Sequence, residues 1–82
     1  MNQETHDHLE FICNRWYENA TTEAQSEAAA DWCHGMWIAL ANISPTNINT
    51  MKMVDTYRLK CVERRGEFAK AEAAAYNARN EQ

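Results

Sequence analysis

Apolar residues in the middle of the chain return every three or four positions: Ala29, Trp32, Cys33, Met36, Trp37 and Leu40. That spacing lays them along one face of an α-helix, and two of the three tryptophans stand on it. A shorter stripe precedes it, built from Leu9, Ile12, Cys13 and Trp16. A longer one follows through Ile48, Met51, Val54, Tyr57 with Arg58, Cys61, Val62 and Arg65. Three helices are therefore expected, over about residues 5–19, 23–42 and 45–77.

Local chemistry sets their ends. Thr5 is the expected N-cap of the first helix, with Asp7 and Glu10 suited to the positive end of its dipole. Thr22-Glu23-Ala24-Gln25 has the form of a capping box for the second. Gly35 lies inside that helix, at a cost of about 1 kcal/mol relative to Ala, and suggests close approach by another helix or by a partner. Ser44-Pro45 is the clearest boundary, because proline disfavours a helical residue before it and suits the first helical position. The third helix is expected to start at Pro45, although 46–50 is weakly helical by propensity. Gly66 has no Pro, Asn or Asp beside it, and Glu67 to Arg79 is rich in helix formers. One long helix through Gly66 is favoured, with a four-helix chain broken at Gly66 as the alternative. A helix of about 33 residues spans roughly 50 Å, so its far end should project and invite a partner.

The expected fold is all-α, a small three-helix bundle within a single domain, residues 1–82. Its core is thin. Leu, Ile, Val and Phe together number 11 of the 82 residues, with thirteen Ala, four Met, three Trp and three Tyr adding apolar material. So small a core supplies only about 3–5 kcal/mol, which makes association a natural remedy. No stretch is long and apolar enough for a membrane span, and the first ten residues are too polar for a signal peptide. Three widely spaced cysteines suit reduced core thiols better than a disulfide framework. A cytoplasmic location, away from membranes, is expected.

Charge is uneven. Residues 1–44 hold seven acids and one base, for −6; residues 45–82 hold five acids and seven bases, for +2. The halves can attract one another within the fold or across a homodimer. Overall acidity, −4 at pH 7, disfavours nonspecific nucleic-acid binding.

Candidate chemistry is sparse. His6, His8, Cys13, Cys33, His34 and Cys61 are of zinc-ligand type, but no CxxC, HxxxH or CxxH spacing occurs, and no metal or cofactor is expected. Cys33 beside a histidine could form a thiolate pair, yet oxyanion-hole turns and Gly-rich loops are missing, so no enzyme is expected. Glu23, Glu27 and Asp31 recur at steps of four. One Asp31-x-x-His34 does not make a di-metal bundle site, so the row is either a solvated face or a contact surface for a basic partner. Lys52, Arg58, Lys60, Arg64 and Arg65 share one helix, though not one stripe, with Glu63 and Glu67 interleaved. Phe11, Tyr17 and Ile38 fall off the best stripes and are the expected exposed contact residues, whereas Trp16, Trp32 and Trp37 are expected to fill the core.

The function expected from these features is that of a noncatalytic protein-binding module. Phe11, Tyr17, Glu23, Glu27, Asp31 and Ile38 would face a larger partner, which the chain would regulate or inhibit. Small acidic chains of this kind suit phage and other mobile elements. The alternative is a small dimeric transcriptional regulator contacting DNA through the basic helix, residues 45–66.

Overall fold

The computed structural model describes residues 2–80 and is all-α. α1 spans Gln3–Asn19, α2 spans Glu23–Ile43 and α3 spans Ile48–Asn80. No described residue has a positive φ.

α1 begins a turn earlier than Thr5 because Asn2 takes the cap. The Asn2 side chain accepts a hydrogen bond from the Thr5 amide at 2.8 Å. Thr5 is thus the capped residue and not the cap, as expected when an equally good cap stands three positions upstream. Thr22 does cap α2, accepting from the Gln25 amide at 3.1 Å. The return half of the box is displaced by one residue: Gln25 Oε1 accepts from the amide of Thr21 at 2.9 Å and from its hydroxyl at 3.0 Å.

The second connection is longer than a start at Pro45 implied, running from Ser44 to Asn47. Ser44 closes α2 through its amide to the Leu40 carbonyl at 2.8 Å. Asn47 then folds back, its amide donating to the Ser44 carbonyl at 3.1 Å and its side-chain amide to the Ser44 hydroxyl. Pro45 and Thr46 form the turn between them, so α3 begins at Ile48. Two side chains that bond locally compete with the helix here, which accounts for the three-residue delay.

α3 crosses Gly66 without a break and continues to Asn80. A Cβ added at Gly66 would meet nothing within 4 Å, and the same holds at Gly35. The close approach expected at Gly35 is therefore not made within this chain; the glycine opens onto solvent. α3 is also the longest dimension of the molecule, whose principal extents are 57 × 19 × 14 Å. Every described residue from Lys70 onward is exposed.

α3 packs chiefly on α2, and α1 lies mainly on α3 with the least contact to α2. The core runs as two adjoining clusters. Cys13, Cys33, Leu40 and Val54 form one, flanked by Leu9, Met36, Trp37, Met51, Met53 and Tyr57. Ala20, Ala29, Ala30 and Cys61 form the other, beside Tyr17, and Trp16 touches both. The largest fully buried side chain is only a valine, Val54, so the core is as thin as the composition implied.

Candidate functional site

Because α1 and α2 are both braced on α3 and scarcely on each other, a cleft remains between them. Trp16 projects into it from α1 and Trp32 from α2. Their ring centroids stand 5.6 Å apart with 57° between planes, a tilted aromatic pair. Trp16 is half-buried, but Trp32 is 54% exposed. Trp32 was expected in the core. It sits at the edge of the α2 stripe that faces α1, and α1 lies too far toward α3 to cover it. Beyond the indoles, Gly35 and Met36 complete an open apolar depression of about 580 Å³, with Asp31 at its rim. The missing side chain at Gly35 keeps that wall low.

Asp31 also borders a second groove, on the α3 side of α2. There Glu27, Asp31 and His34 face Arg58, Val62 and Arg65. Glu27 and Asp31 are exposed, and Glu23 reaches Arg65 only at 4.0 Å. An exposed pair at that distance contributes little. Glu27 and Asp31 form no ion pair within 4.0 Å among the described residues, although Arg58 and Arg65 face them across the groove.

The three apolar contact residues expected from the sequence do not form one patch. Phe11 is 57% exposed, with the Arg15 guanidinium 5.7 Å from its ring centroid. Ile38 is exposed, but lies about 240° around α2 from Trp32. Tyr17 departs from expectation altogether. It packs against the inner cluster, with Arg64 4.8 Å and Lys60 5.9 Å from its ring centroid. These cations follow the same principle that places guanidinium and ammonium groups over π faces. Exposed apolar residues that the stripes did not isolate include Ile43, Ile48 and Leu59, the first two at the α2–α3 turn. For Ile43 and Ile48 the signal was positional, since the last and first residues of helices beside a turn have few neighbours to cover them.

The basic group is drawn into internal contacts. Arg58 Nε pairs with Asp55 at 2.8 Å. Lys60 lies 4.8 Å from the Tyr57 ring centroid. Arg64 Nη1 donates to the Tyr17 carbonyl at 2.9 Å and stacks 5.4 Å from Phe68. Arg65 faces Glu23, and Lys52 stands exposed. These side chains point to different sides of α3 and do not converge on a single strip.

The cysteines converge in the interior, one from each helix, each fully buried and reduced. Cys61 hydrogen-bonds to Cys33 and Cys33 to Cys13, while the Cys13 thiol donates to the Met36 sulfur at 3.6 Å. The hydrogen bond to Cys13, with burial, pushes the Cys33 thiol far above its ordinary range. Burial, with Cys33 alongside, pushes Cys61 up to about 11. The hydrogen bond from Cys33 holds Cys13 below its ordinary value, against the burial that opposes it. His6 is engaged elsewhere, its Nδ1 2.7 Å from the Thr50 hydroxyl, and His8 and His34 are exposed. Among the described residues, no group of three or more His, Cys, Asp or Glu is arranged to hold a metal ion. Among them, too, no helix is long and apolar enough to cross a membrane.

No protein family matches the chain, and no curated protein and no solved structure matches it at significance.

Proposed function

We propose that the chain is a noncatalytic protein-binding module that regulates or inhibits a larger partner through the cleft between α1 and α2. One observation carries this reading. Trp32 spends over half of its surface on solvent while stacked on Trp16, at the mouth of an open apolar depression. Indoles placed this way are frequent binding anchors, since they offer a large rigid area at little entropic cost. Asp31 at the rim and Glu27 beyond it favour a partner segment with apolar anchors and basic flanks. The chain's excess of acid in residues 1–44 acts in the same direction and speeds encounter with such a segment.

The test is a three-way capture from the native host. Wild type, Trp32→Ala, and Glu27→Lys/Asp31→Lys are immobilised in parallel, and bound proteins are quantified by mass spectrometry. A specific partner should be enriched by wild type and lost with Trp32→Ala. It should weaken with the charge reversal in a salt-dependent manner. Equal recovery by wild type and Trp32→Ala would remove the cleft from the proposal.

A further inference from the structure

We infer that α3 carries a self-association seam, on which a second copy of this chain packs antiparallel about a two-fold axis between Glu67 and Phe68. The seam lies apart from the two indoles, although its Val62 shares a groove with Glu27 and Asp31, and it goes beyond the function proposed for the cleft.

Leu59, Val62, Gly66, Ala69, Ala73 and Tyr76 follow one another at steps of three, four, three, four and three. This is the alternation of a two-helix seam. It runs along α3 roughly 120° from the face holding Val54 and Cys61, which the bundle already uses. Leu59 is 53% exposed, Val62 43% and Tyr76 60%. The middle of the seam is built from small residues, and a Cβ at Gly66 would have open space around it. Another helix can therefore approach closely there.

The spacing also has a symmetry. An axis between Glu67 and Phe68 sets Leu59 against the partner's Tyr76, Val62 against the partner's Ala73, and Gly66 against the partner's Ala69. Large residues fall at the two ends and small ones at the centre. Each projecting tail, exposed at every described residue from Lys70 onward, then lies along the partner's 59–66 segment. That gives an otherwise isolated stretch of helix the packing that short helices need in water.

Charge selects this arrangement over its alternative. In the antiparallel register Glu63 flanks the partner's Lys70, and Arg65 flanks the partner's Glu72. Both pairs occur twice by symmetry, and all four are of opposite sign. Arg65 is held only loosely by Glu23, at 4.0 Å, and remains able to turn to the seam. A parallel pairing would set Arg65 against the partner's Lys70, like against like, and would gain only Arg58 against the partner's Glu63, one favourable kind of pair in place of two. The one unfavourable antiparallel neighbour is Arg58 beside the partner's Arg79. Asp55, bonded to Arg58 at 2.8 Å, and Asp31, in the same groove, offset it.

Sedimentation equilibrium of the purified full-length chain over a range of concentrations tests the seam. The expected mass is twice the 9.5 kDa of one chain. Lys70→Glu should weaken the dimer about tenfold by turning two attractions into repulsions. The swap Glu63→Lys/Lys70→Glu should restore it. Gly66→Phe, whose Cβ would meet nothing within 4 Å in its own chain, should yield a monomer with undiminished helicity by circular dichroism. Trp32→Ala should leave the mass unchanged, which keeps this result separate from the fate of the cleft. A wild-type mass of 9.5 kDa at every concentration would overturn the inference. So would a dimer indifferent to Lys70→Glu, one that the swap fails to recover, or one abolished by Trp32→Ala.

Discussion

Trp16 and Trp32 belong to different helices, and their rings meet at 5.6 Å across the least extensive of the three helix pairings. The two indoles do unequal work. Trp16 reaches both core clusters, whereas Trp32 lies over it with its outer face in solvent. Trp16→Ala should therefore cost about 3 kcal/mol, the range for a large aromatic that fills a core. Trp32→Ala should cost only about 1 kcal/mol, mainly the ring–ring contribution. Urea midpoints for the two variants measure the difference. Equal losses would mean that the outer indole is structural, and not available to a partner.

The sulfur chain predicts an alkaline limit to stability. A thiol whose proton is held more tightly in the folded chain adds stability below its unfolded value. That contribution is lost as the pH rises through the folded value. Cys61, raised from 9.0 to about 11, and Cys33, raised further, both have this sign. Tyr57, raised mainly by burial, has it too. Cys13 has the opposite sign: as the lowered member of its pair with Cys33 it ionises first, and it offsets part of what Cys33 adds. The Cys61 contribution should be flat from pH 7 to 8.5 and fall between pH 9 and 11, by on the order of 2 kcal/mol. Denaturation at stepped pH reads the fall. Thiol labelling at pH 7.5 should be slow in native chain and fast in urea. Burst labelling of the native chain would contradict the burial.

Ser26 is fully buried, and its hydroxyl finds no hydrogen-bond partner among the described residues. A stranded hydroxyl costs about 1–3 kcal/mol, and alanine is also the better helix former. Ser26→Ala should accordingly stabilise the chain by about 1 kcal/mol, equivalent to roughly 4–8 °C in Tm for a domain of this size. Differential scanning calorimetry checks the direction. A lower Tm would mean that the hydroxyl is satisfied after all.

Gly35 separates stability from recognition. With nothing within 4 Å of an added Cβ, Gly35→Ala should stabilise α2 by about 1 kcal/mol. The same methyl group raises the wall of the indole cleft, so partner capture should fall while Tm rises. A variant that gains both would place the partner elsewhere.

The helices were legible because their signals are local. Thr22 with Gln25, Ser44 with Pro45, and the unpunctuated run around Gly66 each act over a few residues. The placing of Cys13, Cys33 and Cys61 on three stripes likewise marked them as core thiols, and all three are buried. What stayed hidden depends on how the helices sit relative to one another. Periodicity puts Trp32 on the apolar face but does not say that α1 leaves that edge uncovered. It marks Tyr17 as off-stripe without revealing that Arg64 and Lys60, over forty residues away, close over it. Gly35 was readable as a place for close approach, and only the packing shows the space to be vacant. Asn2 escaped notice because a cap is defined by where the helix starts, and Thr5 offered an equally suitable group.

The unequal bracing of the three helices has a consequence for motion. α2 and α3 form a hairpin with its own shared interior, while α1 rests across it like a latch, tied at one end by His6 to Thr50 and at the other by Tyr17 to Arg64. Moving α1 would mean breaking those two ties and also withdrawing Cys13 and Trp16 from the interior. The indole mouth therefore keeps its width for as long as the sulfur-lined interior stays closed.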